Sequence, residues 1–241
     1  MNLVKRDCPV KIKLTPCSTY YLLIDFEING EKHSFFPSAA VSYHFLDFMA
    51  AVYQLYTENE GLDCHNDALL PNRLFGKSRR IINTQKTDPQ LNEEEISVET
   101  SIDWDEEGPT ATITLYRKVH NGDLAPLPND PDPIQITICY DMFPDKSGKF
   151  TYIIDGKDLC YAVAKAGMDV IKTYGFHGYF FSSGLDDGID DWIDINQLLF
   201  FKAYALGVME VRDFSEVSTG KNNTVLATNF EKELELLLFD M

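Results

Sequence analysis

Ile96-Ser97-Val98-Glu99-Thr100-Ser101-Ile102-Asp103-Trp104 decides the fold class. Ile96, Val98, Thr100, Ile102 and Trp104 alternate with Ser97, Glu99, Ser101 and Asp103. A period of two places one set on each face of a strand, so this strand is expected to be half buried. Asp105-Glu106-Glu107-Gly108-Pro109 makes a turn, and Ala111, Ile113 and Leu115 carry the return strand. The pattern repeats downstream at Ile134, Ile136, Ile138 and Tyr140. There the turn Pro144-Asp145-Lys146-Ser147-Gly148 leads to Phe150, Tyr152 and Ile154.

A third hairpin is expected upstream. Ile24, Phe26 and Ile28 alternate, Asn29-Gly30 follows, and Glu31 to Phe36 returns. Asn-Gly favours a type I′ turn because both residues tolerate positive φ.

Between and after the hairpins the period changes to that of a helix. Val41, Phe45, Phe48, Val52 and Leu55 follow Pro37-Ser38, with Gly61 as the expected stop. A second helix is expected from about Gly156 to Tyr174, with Asp158 as cap or first-turn acid and Leu159, Val163, Ala166, Val170 and Ile171 as its stripe. A third, Ile195 to Leu206, is apolar nearly all round, so it lies in the core or meets another chain. Residues 62–95 read as irregular, with a short helix near Asp67–Leu74 and an acidic loop at Asn92 to Glu95. In the tail, Val225-Leu226-Ala227 could start a strand and Glu231 to Leu238 is helix-forming.

Consecutive hairpins imply an antiparallel sheet, and helices grouped apart from strands imply α+β. The expected architecture is α+β, with a mainly antiparallel sheet of about six strands and three or four helices. One domain is expected over residues 1–241. The proline-rich loop Asn121 to Pro133 is the weak boundary within it.

Composition limits the function classes. The chain has 241 residues, 38 of them acidic and 21 basic, for a formal net charge of −17. A field of that sign opposes nucleic acid and anionic membrane and favours a basic protein partner. Met1 to Lys13 carries five charged residues and no apolar stretch, so no secretory signal is expected. The five cysteines (Cys8, Cys17, Cys64, Cys139, Cys160) are odd in number and lack C-x2-C spacing. They read as small buried apolar groups in a cytoplasmic protein, with no metal site and no cofactor. The basic run Arg73, Lys77, Arg79, Arg80 and Lys86 is expected to pair internally with acids such as Glu93 to Glu95.

Asp186, Asp187, Asp190, Asp191 and Asp194 crowd nine residues around Trp192. Most of them share a helical face by i, i+3 and i, i+4 spacing, so their repulsion needs compensation. A helix N-terminus, a cation or a basic partner would supply it, but the EF-hand spacing is missing. His177 has Ser182 and Ser183 nearby but no nucleophile elbow, and His33, His44, His65 and His120 stand alone in sequence. No catalytic residue is assigned.

The expected function is an interaction module in which Asp186, Asp187, Asp190, Asp191, Trp192 and Asp194 bind a basic protein. The bacterial immunity proteins, which neutralise a toxin, provide the analogy. The alternative is an enzyme or small-ligand binder with a cleft near His177 and the aspartate cluster.

Overall fold

The computed structural model describes residues 8–16, 22–35, 42–56, 79–83, 93–102, 111–120, 131–140, 148–174, 195–207, 210–213 and 224–227. Among these, ten strands and three helices form. The strands are β1 (Val10–Pro16), β2 (Leu22–Ile28), β3 (Glu31–Phe35), β4 (Arg79–Asn83), β5 (Glu93–Ile102), β6 (Ala111–His120), β7 (Pro133–Tyr140), β8 (Gly148–Asp155), β9 (Glu210–Asp213) and β10 (Thr224–Ala227). The helices are α1 (Ser42–Gln54), α2 (Gly156–Tyr174) and α3 (Ile195–Ala205).

The fold mixes helix with antiparallel sheet, but the expected single sheet of about six strands is corrected. The strands divide into a three-stranded sheet β1-β2-β3, a five-stranded sheet β4-β5-β6-β7-β8 and a two-stranded ribbon of β9 and β10. Each larger sheet is a meander in which neighbours in sequence are neighbours in space. Three strands, β1, β4 and β9, were not expected from the sequence, and a fourth, β5, is longer than expected. β1 lay in a segment judged only for its charge, although Val10 and Ile12 are buried and alternate with exposed Lys11 and Lys13. β4 lay in the segment read as irregular, and Glu93 to Glu95 extend β5 rather than forming an acidic loop. The register does not set the basic run against Glu93 to Glu95: Arg79 stands opposite Glu99 and Arg80 opposite Val98, while Glu95 stands between Asn83 and Lys118, which lies outside that run. The Asp67–Leu74 helix and the Glu231–Leu238 segment lie outside the described residues.

Local chemistry explains the elements. Asn29 (φ 51°) and Gly30 (φ 84°) adopt the left-handed geometry that a type I′ turn needs. On the inward face, Ile24, Phe26, Ile28 and Phe35 are buried. Phe26 meets Phe48 of α1 edge-on at 4.9 Å between centroids, so the first hairpin packs on the first helix. α2 buries Leu159, Val163, Ala166 and Val170 as its stripe requires. Asp158 is the acid of its first turn, as expected, and the cap is Asp155, whose Oδ1 accepts the Lys157 N–H at 2.8 Å. α3 buries Leu198, Phe201, Ala203 and Tyr204, so its apolar circumference belongs to this chain's own core. α2 lies along α3 and against β1, while α1 touches β5 and α3. β6 and β7 pair from Ala111↔Tyr140 to Arg117↔Ile134, on either side of the proline-rich loop.

A buried ion pair joins these layers. Arg117 on β6 donates from Nε to Asp132 Oδ1 at 2.7 Å, and both residues are less than a tenth exposed. The Tyr56 and Tyr204 hydroxyls both donate to Asp132 Oδ2 at 2.7 Å. Arg117 Nη1 donates to the Leu55 carbonyl at 3.0 Å, and its guanidinium lies 4.4 Å from the Tyr56 ring centroid. The Gly156 N–H donates to the Asp132 carbonyl at 2.8 Å. At Gly156 a β-carbon would overlap the Tyr56 hydroxyl and the Asp132 carboxylate, so only glycine lets α2 begin there.

Two changes test this junction by denaturant unfolding. Arg117→Met leaves the Asp132 carboxylate buried without its cation and is expected to cost roughly 3–5 kcal/mol. Gly156→Ala forces the ring and carboxylate apart and is expected to cost about 1–3 kcal/mol. Wild-type stability in either variant would remove the junction from its structural role.

Candidate functional site

The residues picked out in the sequence, Asp186, Asp187, Asp190, Asp191, Trp192 and Asp194, lie outside the described residues, as does His177. In sequence they run up to Ile195, where α3 begins. Among the described residues no three His, Cys, Asp or Glu side chains are grouped to hold a metal ion. No described helix is long and apolar enough to cross a membrane.

The described residues bring together a set that was read as unconnected. His33 is not an isolated histidine. On β3 it shares the inward face with Phe35, and it is 4% exposed. Its Nδ1 lies 2.8 Å from the Tyr140 hydroxyl on β7, and its Nε2 lies 2.6 Å from the Tyr152 hydroxyl on β8. The Tyr152 hydroxyl donates to Glu31 Oε2 at 2.6 Å. Tyr140 stacks on Phe35 at 5.8 Å between centroids, and Phe150 stands edge-on to His33 at 5.1 Å. The three-stranded sheet thus meets the five-stranded sheet through one imidazole and a cluster of rings.

Donor order follows from counting protons. Tyr152 has one hydroxyl hydrogen, and Glu31 takes it. Tyr152 Oη must then accept from His33, which puts a hydrogen on Nε2. A neutral imidazole would then accept at Nδ1 from Tyr140, and an imidazolium would donate from both nitrogens. Either way one hydrogen-bonded chain runs from Tyr140 through His33 and Tyr152 to Glu31, at the exposed tip of the first hairpin.

The ionisation of these groups is set by the same burial. Burial pushes the Tyr140 phenol up to about 12. Burial also raises Tyr152, and its hydrogen bond to the Glu31 carboxylate adds to the rise. Both phenols are therefore donors at neutral pH. In the Arg117–Asp132 junction, burial raises Tyr56, Tyr204 and the Cys160 thiol, and the Asp132 charge raises them further. A thiol held protonated is a poor nucleophile. Cys8 is also buried, and its Sγ donates to the Asp158 carbonyl at 3.4 Å. The arrangement can hold protons in place and lock two sheets together.

The signal for this set was present in the alternation. Tyr140, Tyr152 and His33 all fall on inward faces, where a polar atom needs a partner. Three such atoms on neighbouring apolar faces imply one another. No family model matches the chain, and neither a curated protein nor a solved structure shows significant similarity to it.

Tyr140 gives a pH prediction with a definite sign. Its folded value lies above the usual phenol value of 10, so its contribution to stability is complete below pH 10. It is lost as pH rises through about 12. Unfolding free energy is expected to fall across that window, and Tyr140→Phe is expected to flatten the fall. Identical alkaline slopes for the two proteins would refute the assignment.

Proposed function

We propose that this protein is an interaction module that captures a basic protein partner. Asp186, Asp187, Asp190, Asp191 and Asp194 supply the charge, and Trp192 supplies the apolar anchor. The observation that carries the reading is the net charge of −17, from 38 acidic against 21 basic residues. Excess charge of one sign steers an oppositely charged partner and raises its association rate. Trp beside carboxylates is a common composition for an interface hot spot. The buried Arg117–Asp132 pair is neutral in sum and shut away from solvent, so it takes nothing from the outward field. An inhibitor of the immunity type, laid over the basic active site of a toxin, is the example that fits this chemistry. Cytoplasm is the compartment proposed for it, from an odd number of cysteines without paired spacing.

The test uses the full chain as bait in lysate at low and high salt, alongside a variant with Asp187, Asp190, Asp191 and Asp194 all changed to Asn. One basic protein is expected to bind the wild type at low salt and to leave at high salt. The variant is expected to fold normally and to associate roughly tenfold or more slowly, because steering depends on those charges. Equal capture by both proteins would sink the aspartate assignment.

A further inference from the structure

The β8 edge of the five-stranded sheet has no strand beyond it among the described residues. β7 pairs one side of β8 along all eight residues, from Pro133↔Asp155 to Tyr140↔Gly148, without a bulge. The order β4-β5-β6-β7-β8 ends there. Among the described residues, the backbone hydrogen bonds of turns and loops involve residues outside β8. The strand is regular, lacks proline and has one lysine, so it carries little of the protection that natural edge strands use. Tyr152 and Ile154 are buried, but other side chains of the strand are open to solvent. Ile153 is 69% exposed and Phe150 is 37% exposed. Only Tyr116 joins them as an exposed large hydrophobic among the described residues, and the register puts Tyr116, Gln135 and Ile153 in one row across the sheet.

We infer that β8 pairs antiparallel with β8 of a second copy, about a two-fold axis at Tyr152, and that the protein forms a dimer on this edge. The charge pattern of the strand selects both the partner and the register. An antiparallel pair about a two-fold axis sets residues opposite one another at a constant sum of positions. Centred on Tyr152, it places Lys149 opposite Asp155 of the second copy, and Thr151 opposite Ile153. All four residues belong to the outward face of the sheet. The ion pair forms twice, once at each end, and Ile153 is covered twice. Centred instead on Thr151, Lys149 would face Ile153 and Asp155 would run past the end of the strand. Asp155 uses Oδ1 to cap α2, which leaves Oδ2 to accept from Lys149. β8 itself is neutral in sum, with Lys149 against Asp155. The chain's net charge of −17 opposes self-association, but that repulsion is screened beyond about 8 Å at physiological salt. Pairing would merge the two five-stranded sheets into one and remove both exposed edges.

Sedimentation velocity over a concentration series tests the inference on the full chain. A dimer in rapid exchange with monomer is expected, with amides of residues 149–154 exchanging more slowly as concentration rises. Ile153→Lys replaces an exposed side chain, so the fold is expected to survive, as checked by circular dichroism. Its dimer dissociation constant is expected to rise roughly tenfold or more, since it removes the apolar contact and sets each new lysine diagonal to Lys149 of the second copy. Lys149→Glu is expected to weaken the dimer, and adding Asp155→Asn to recover part of it, because asparagine keeps the cap and removes the like charge. A chain that is monomeric at every concentration overturns the inference. So does a dimer that Ile153→Lys leaves unchanged, or one whose β8 amides show no concentration-dependent protection. A foreign strand found on β8 in a monomeric chain also overturns it.

Discussion

A charge taken out of water must be compensated where it lies, and the Arg117–Asp132 pair is where this fold meets that constraint. Desolvating a guanidinium and a carboxylate costs several kcal/mol for each ion, and their attraction offsets this only when the remaining lone pairs and protons are satisfied. Asp132 meets the condition with donors from β6, from the end of α1 and from α3. Each donor must arrive within hydrogen-bond distance, so the four elements have little freedom to shift. The Asp132 carbonyl holds the first N–H of α2, and Gly156 leaves room for the Tyr56 ring. The pair therefore fixes where β7 begins and where α2 departs from β8.

The second joint works by different physics. Between β3 and the β7–β8 pair the contact is mainly ring on ring, with one imidazole supplying the polar link. Rings bury large areas with few rotatable bonds, so they join sheets at small entropic cost. His33 adds the polar link, with one ring nitrogen on each phenol and Tyr152 passing the chain on to Glu31. A phenylalanine there would keep the packing and lose these hydrogen bonds. The Arg117–Asp132 junction sets the position of elements, while the His33 chain sets the angle at which the first hairpin meets the larger sheet.

The three hairpins and three helices were legible because each obeys one period over enough residues. Ile113 and Leu115 alternate with polar neighbours, and Leu159, Val163 and Val170 keep helical spacing. The Asn29-Gly30 turn was legible because its chemistry is local. Division into two main sheets was not, because periodicity reports which residues face a core and not which strands share hydrogen bonds. β1 was hidden by its lysines, which sit on the solvent face and made the segment read as charged. β4 was hidden because Arg79-Arg80 precede its two isoleucines, so no alternation is seen. Asp155 was passed over as cap because it ends a strand; Asp158, three residues on, is the first-turn acid that its position suggested. The His33 and Asp132 contacts were only half legible. Alternation marks His33, Tyr140 and Tyr152 as inward-facing polar groups that need partners, but the packing that brings them together across 107 residues, and Asp132 to Arg117, comes only with the fold.

The location of charge separates two ways this protein can associate. The buried Arg117–Asp132 pair is neutral in sum, and β8 carries one lysine against one aspartate, so neither contributes to the excess of acid. That excess belongs to the rest of the chain, with one dense run just before α3. An oppositely charged partner drawn by the excess is released as salt screens the attraction. A second copy meeting β8 is held by backbone hydrogen bonds and buried apolar area, and what salt screens there is mainly the repulsion between two acidic chains. The two modes must respond to ionic strength with opposite sign. One surface cannot do both: the acidic segment cannot self-associate, and a neutral strand cannot steer a cation from a distance.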